Sequence, residues 1–582
     1  MELQSLDWFI ITAYLIITLV IGLSLSKKAG KDLTSFFLGG RNLPWWIAGT
    51  SMVATTFAAD TPLLITELVA NNGISGNWLW WNGLIGGMLA TFFFARLWRR
   101  ANILTDVELT ELRYSGKEAS FLRGFKAIYL GIFMNSVVIA WVNVALATLL
   151  QVFFDIPKNQ LIYFIAAAMF IVMIYSSLSG LLGVVITDFF QFIIAMSGCI
   201  VLAVVVLDSP QIGGITGLKE KLSGASLNFF PNINFLQNTP IENMEVLSIG
   251  IATFFAFVGI QWWASWYPGA EPGGGGYVAQ RMMSAKNEKH AVYATLFFQI
   301  AHYCLRPWPW IIVALCALVL YPDLGADDKR LGYVYAMKDF LPVGLKGLLL
   351  VAFFAAYMST ISTQLNWGAS YIVNDLYKRF IEPEASQKKL VFASRINTFL
   401  LMVVSLIVTS QLRTLEGAFH FMIECGAGLG AVLILRWYWW RINAWSEIAA
   451  TIAPFIAFSF TKFYWHIEFP YSLFITVGFT TCVWLLVTFA TKPTERAVLE
   501  NFYQKIKPGG NWKPFEPADK KFKISLLLVC WLSAVLLAYS ILFLIGKIIF
   551  MEWAQVGTWG AIAFISAIVL YYFSKKVKLF EE

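Results

Sequence analysis

Between Ile524 and Gly546 the chain runs without a charged side chain, and stretches of this kind recur along its whole length. A helix of about 20 apolar residues crosses the hydrocarbon core of a bilayer. In that medium every backbone group must find its partner inside the protein, so the recurrence restricts the fold to an all-α polytopic membrane protein. Fifteen stretches qualify, at roughly residues 7–25, 44–70, 77–98, 125–152, 160–178, 184–207, 246–266, 291–321, 343–376, 391–411, 416–435, 444–461, 468–490, 524–547 and 555–574. Composition agrees, with 58% apolar and 13% charged residues. The start of the chain lacks the basic residues and small-residue cleavage site of a signal peptide, so 7–25 is expected to be a retained helix.

The net charge of +8 would suggest a nucleic-acid partner for a soluble chain. Here the basic residues lie in short loops between apolar spans, where they set topology, and no nucleic acid is expected. Alternate loops starting from an outer N-terminus divide the Lys and Arg residues 31 to 10 in favour of the inner set. That bias predicts a multi-pass protein of the cell (inner or plasma) membrane, with the N-terminus outside, the C-terminus cytoplasmic and an odd number of spans. The outer loop 208–245 and the basic inner loop 491–523 read as connectors. Six Cys fall within apolar segments without CxxC spacing, which suggests neither a disulfide framework nor a zinc site.

Two spans are interrupted. SMVATTFAADTPLL, residues 51–64, puts Thr55, Thr56, Asp60, Thr61 and Pro62 near mid-membrane, and proline removes a backbone donor and clashes with the preceding turn. QWWASWYPGAEPGGGGYVAQR, residues 261–281, supplies two Pro and five Gly between Pro268 and Gly276. Irregular backbone at membrane depth is tolerated where it is buried in protein or lines a cavity, and its freed carbonyls suit cations. The breaks lie five spans apart in helices of opposite direction, the pattern of an inverted repeat in a secondary transporter. Four hydroxyls in five residues, Ser359, Thr360, Ser362 and Thr363, interrupt a third apolar span.

YSSLSGLLGVVITDFFQ, residues 175–191, resembles the signature of the sodium/solute symporter family, which includes the sodium/glucose and sodium/proline cotransporters, through Tyr175, Gly180, Gly183, Thr187, Asp188 and Gln191. GGRNLPWW (39–46) is similar to the family's entry into core helix 1, AQRMMSAKN (279–287) to its T-Q-R-x-x-A-A-K loop, and STISTQLN with NDLYKRF to its core helix 8. The resemblance implies a LeuT-type fold of inverted five-helix repeats with about 15 transmembrane helices. An extra N-terminal helix (1–30) precedes the first repeat (40–207, core helices 1–5). The outer loop 208–245 leads to the second repeat (246–436, core helices 6–10), and 437–582 adds C-terminal helices around the inner loop 491–523. The Gly-rich insert 268–276 and the fifteenth helix depart from the family pattern; the insert is read as an elongated inner gate.

Sodium is a hard cation that prefers oxygen ligands. By the resemblance, one sodium site would use carbonyls of Ala54, Phe57 and Ala356 with the hydroxyls of Ser359 and Thr360. A second would use Asp188, Ser359, Ser362 and Thr363, giving two sodium ions per cycle and no other cofactor. A carboxylate at membrane depth calls for a compensating cation. The alternative reading of the hydroxyls is that they bond back to carbonyls one turn earlier.

Candidate substrate residues face the breaks: Asp60, Thr61, Asn82, Gln261, Trp262 and Trp263, then His302 and Arg306 one turn apart, and His420 and Glu424 one turn apart. Trp faces and carboxylate or amide groups favour a sugar or sugar acid. Arg306 could take a substrate carboxylate, Asp60, Glu424 or backbone carbonyls as its partner. WYWWR, 437–441, reads as an interfacial aromatic belt. The expected function is sodium-coupled symport of a small organic solute by alternating access, for which a monomer in a lipid bilayer is sufficient. Its rivals are a sodium-coupled carrier of an amino acid or carboxylate and a transporter-like membrane sensor. No HExxH, nucleophile elbow or phosphate loop suggests an enzyme.

Overall fold

A computed structural model describes residues 4–234, 248–267, 269–325, 328–411, 426–515 and 524–580. The spans and their companions are α1 (Ser5–Ala29), α2 (Trp45–Thr55), α3 (Asp60–Asn72), α4 (Ile74–Ala101), α5 (Gly116–Phe154), α6 (Leu161–Leu207), α7 (Ile251–Ala264), α8 (Gly276–Ser284) and α9 (Glu288–Leu320). They continue as α10 (Leu345–Ile381), α11 (Gln387–Gln411), α12 (Leu429–Tyr438), α13 (Ala444–Tyr464), α14 (Tyr471–Ala490), α15 (Arg496–Ile506), α16 (Ile524–Ile549) and α17 (Trp553–Val577).

Among the described residues 11 helices are long and apolar enough to cross a membrane, or 12 if the bent pair α2 and α3 is one span. This is fewer than the fifteen expected, for local reasons. The stretches at 160–178 and 184–207 join in the 47-residue α6, where Gly180 breaks helical geometry with φ 53° and ψ −157°. The stretches at 246–266 and 416–435 give the shorter apolar helices α7 and α12, and residues 412–425 lie outside the described set.

Gly180 is required where it stands. A Cβ there would meet the Phe36 carbonyl oxygen at 2.5 Å, and positive φ is a conformation that side chains disfavour. The helix thus turns tightly against the segment leading into α2.

At the centre, α10 is buried almost without interruption from Leu349 to Ser370, apart from Phe354, and packs along α6. The first part of α9 packs on α2 and its second part on α3. By contrast α1 and α17 leave most of their surface outward, as spans facing lipid do.

Loops that the charge pattern places on one side do meet. Arg41 donates to the Ile103 carbonyl at 2.8 Å, Arg99 to Ala285 at 2.6 Å and Arg441 to Thr491 at 2.8 Å, while Arg96 and Arg100 pair with Glu288 at 3.1 and 2.7 Å. At the other ends, Asp7 accepts from Gly344 and Gly347 at 2.8 and 2.7 Å, and Ile74 donates to Ser226 at 2.9 Å.

The basic loop 491–523 is more than a connector. Its α15 lies against the end of α4 and the short helix Leu109–Arg113, and Arg100 donates to the Ile506 carbonyl at 2.6 Å. Trp512 follows, donating to the Trp437 carbonyl at 2.9 Å, and with Tyr114 and Phe502 it surrounds the Arg113 guanidinium at 5.0–5.4 Å. Trp437 is fully buried against Trp98, so this member of WYWWR is interior packing and not part of a lipid-facing belt. Of the cysteines, Cys199, Cys304, Cys316 and Cys530 are buried and Cys482 is exposed; Cys425 lies outside the described residues.

Candidate functional site

The first break falls at Thr56–Ala59, where α2 and α3 meet at 61°. Pro62 sits in the first turn of α3, a position where its missing N–H leaves no intrahelical bond unmade. The turn exposes the last carbonyls of α2, which carry the negative end of the helix dipole. Asp60 and Thr61 open α3, and an acid is favoured at that end.

Three elements converge on the α2 terminus. From α10, the Thr360 hydroxyl donates to the Thr55 carbonyl at 2.8 Å and to its own Ala356 carbonyl at 3.3 Å. The carbonyl of Ala54 accepts the Phe57 amide at 3.0 Å. So the oxygens proposed from sequence for the first sodium site, Ala54 and Phe57 on one side and Ala356 and Thr360 on the other, belong to segments already joined by a hydrogen bond.

From α6 comes Asp188, fully buried. Its carboxylate accepts from the Ser51 hydroxyl at 2.5 Å and the Ser359 hydroxyl at 2.7 Å. Ser359, named for both sodium sites, is thereby directed to Asp188. Thr363 shares a hydrogen bond with Thr55 at 3.0 Å. The Ser362 hydroxyl is back-bonded, donating to the Ser359 carbonyl at 3.0 Å.

The residue that sequence reasoning left out is Arg281, from α8. Its guanidinium is buried, lies 3.7 Å from Asp188, and donates to Ser51 at 3.1 Å, Gln280 at 2.8 Å and Thr363 at 2.7 Å. Gln280 in turn holds the Phe37 carbonyl and Asn366 at 2.9 and 3.1 Å. The carboxylate therefore has a cationic partner within the chain, which a buried charge requires. The signal was in AQRMMSAKN, where an Arg follows Gln in the segment after the second break. Ser51 could have been found as the polar residue one turn before Thr55 on the same face.

His302 and Arg306, from α9, brace the first break. Arg306 donates to the Val53 carbonyl at 3.2 Å and to the Thr56 hydroxyl at 3.0 Å, and lies 5.3 Å over the Trp310 ring. His302 shares a hydrogen bond with Thr56 at 3.0 Å and meets Trp80 edge-on at 5.7 Å. A cation at the carbonyl end of a helix is electrostatically favourable, so carbonyl and hydroxyl groups of the break are partners for Arg306.

The remaining candidates are tied to their own helices. Asn82 donates to the carbonyls of Trp78 and Leu79 at 3.1 and 2.9 Å. The Trp262 and Trp263 indoles donate to the Val258 and Gly259 carbonyls at 2.7 and 2.6 Å, and the Gln261 main-chain carbonyl accepts from the Ser265 amide at 3.0 Å. α4 and α7 approach closely because Gly86 has no side chain; a Cβ there would meet the Trp262 carbonyl oxygen at 2.8 Å. His420 and Glu424 lie outside the described residues.

The chain that builds this oxygen-rich junction is similar to known proteins. The profile of the sodium:solute symporter family matches residues 36–453. The sodium/glucose cotransporter of Vibrio parahaemolyticus is 26% identical over 489 residues, 79% of this chain and 86% of that protein. The human sodium/myo-inositol cotransporter 2 is 24% identical over 472 residues, 76% of this chain and 67% of the other. Among solved structures, the substrate-bound, outward-open state of a Na+-coupled sialic acid symporter shares the fold, with a TM-score of 0.67 at 18% identity over 85% of this chain and 99% of its own.

Proposed function

This chain belongs to the sodium:solute symporter family and is a sodium-coupled solute symporter, and from that premise we propose that it carries a small neutral sugar or related polyol by alternating access. The observation that carries the reading is the Thr360 to Thr55 contact. Hydroxyls of α10 face the carbonyl end of α2 directly beside the first break. A sodium ion at Ala54, Phe57, Ala356, Ser359 and Thr360 would replace that hydrogen bond with stronger ion–oxygen contacts and hold α2 against α10. Sodium and solute would then favour the same state, and each would raise the affinity of the other by the same factor.

A second ion would use Asp188 with Ser359, Ser362 and Thr363. Arg281 bears on that site, since a guanidinium near Asp188 weakens its hold on a further cation. We take the first site as the coupling site and the second as filled when Arg281 withdraws. The two repeats, 40–207 and 246–436, would rock about these contacts, in a chain of fifteen spans with its N-terminus outside.

Relatives that carry glucose and myo-inositol support a sugar. The pairing of Arg306 Nη1 with Val53 and Thr56 favours a neutral solute over an acidic one, because that arm of the guanidinium is held by the break. The deciding experiment is thermal denaturation of purified protein with D-glucose, myo-inositol, sialic acid or amino acids, in sodium and again in potassium. A ligand that binds only the folded state raises the melting temperature, so a sodium-dependent rise with a neutral sugar is expected. Rises confined to acids would return Arg306 to the solute site, and no rise in sodium beyond that in potassium would remove the coupling reading.

A further inference from the structure

Beside the second break lies a cavity of about 50 Å3 that shares no lining residue with the oxygen cluster around Asp188. The Gly-rich insert forms one wall. Gly274 and Gly276 adopt positive φ, and a Cβ on either would press on Trp98 or on the Glu271 carboxylate, so the insert is folded into place and not an open loop. Its acid, Glu271, is 5% exposed and has one oxygen bound by the Gly269 amide at 3.1 Å. The other oxygen, Oε1, has no hydrogen-bond partner among the described residues.

Arg436, on α12, contributes the complementary group. Its Nη1 donates to Glu447 at 3.1 Å, while its buried Nε has no hydrogen-bond partner among the described residues. The other charged groups lining the cavity are engaged: Lys126 pairs with Glu447, and Asp106 accepts from the Gly276 amide and the Tyr371 hydroxyl. Thr451, also in the lining, donates to the Glu447 carbonyl at 2.7 Å, and apart from glycines the rest is ring and aliphatic surface, with Tyr129 and Trp266 beside it.

One open acceptor and one open donor in an aromatic frame select the ligand. A bare cation would find both Asp106 oxygens already accepting and a guanidinium and an ammonium beside it, leaving one free carboxylate oxygen where it needs several. An anion would meet two carboxylates. A hydroxyl group donates and accepts at once, and a hydroxylated ring has an apolar face for Trp266. We propose that this cavity is a second solute subsite, taking one hydroxylated edge of a neutral polyol through Glu271 Oε1 and Arg436 Nε, with Trp266 beside the ring. It rests on the sugar reading above and adds a site to it. Asp106, Lys126 and Arg436 belong to segments that meet at the face of the basic loops, so the subsite serves solute passing that face.

The test is solute counterflow in sealed membrane vesicles of both orientations, using tritiated D-glucose or myo-inositol, whichever the wild type takes up with sodium. Glu271→Ala is expected to raise the half-saturating concentration at least tenfold from the basic-loop face and less than twofold from the opposite face. Glu271→Gln, whose amide oxygen still accepts, stays within threefold of wild type. Trp266→Leu gives the same one-sided change as Glu271→Ala, which keeps the test open if that variant fails to fold. Equal shifts on both faces, no shift, or Glu271→Gln as impaired as Glu271→Ala would each overturn the proposal, the last in favour of a cation site. If the wild type moves amino acids but no sugar or polyol, the sugar reading falls and this one with it; failure confined to the variants leaves the sugar reading standing.

Discussion

At the scale of single residues, the pair Asp188 and Arg281 governs the centre of the molecule. Removing one charge of a buried pair leaves the other unpaired, which costs about 3–5 kcal/mol. Asp188→Asn should therefore lower the melting temperature strongly, and the double variant Asp188→Asn with Arg281→Gln should recover most of the loss. A double variant no better than the single one in thermal denaturation would show that the two charges do not compensate each other. Glu111, in the short helix Leu109–Arg113 before α5, offers a pH handle. Partial burial would raise its pKa, but hydrogen bonds from Arg379, Ser120 and Arg123 outweigh this and bring it from an ordinary 4.5 down to about 2. A depressed carboxylate contributes stability that is fully present above its unfolded value and is lost as pH falls through the folded one. The gap in melting temperature between wild type and Glu111→Gln should be largest at neutral pH and shrink between pH 4.5 and about 2. Asp188 and the hydroxyls of α10 were legible in sequence because polar groups in an apolar span stand out. Arg281 was not, because it enters from a helix beyond a break, and no periodicity connects that helix to Asp188.

At the scale of elements, the turn at Gly180 and the strap after α14 hold the helices in place. Gly180→Ala combines positive φ with a clash against the Phe36 carbonyl, so it should destabilise on the order of 2 kcal/mol. Thermal denaturation of the detergent-solubilised variant would read this, and an unchanged melting temperature would show that the turn relaxes freely. Trp512→Ala should loosen Trp437 and uncover Arg113, seen as faster proteolysis within 491–523. Wild-type resistance there would deny the strap its role. The two breaks could be read from Pro62 and from the Pro and Gly run at 268–276. The strap could not, since its basic and Pro-punctuated composition is that of a linker, and Trp512 gains meaning only from the aromatic groups it meets.

At the scale of the whole molecule, the charge pattern and the contacts between loops describe the same division into two faces. Single cysteines at Lys219 and at Lys513, in a background without native Cys, should react with a membrane-impermeant maleimide from opposite sides of intact cells, Lys219→Cys from outside. Labelling of both from one side would overturn the alternation. The number of spans was less legible than their existence. Apolar stretches do not show how they join or how much of each is helix: 160–178 and 184–207 form the single α6, kinked at Gly180, and α7 and α12 are shorter than the stretches 246–266 and 416–435.

Arg281 reaches Asp188 as part of the protein and not from solution, so its local concentration is the same whatever salt surrounds the membrane. A carrier that has released its cargo must bring its vacant sites back across, and a bare carboxylate would need a borrowed cation for that return leg. With a counter-ion built into the chain, the empty return needs no potassium, and turnover in vesicles should be the same whether potassium or choline fills the trans compartment.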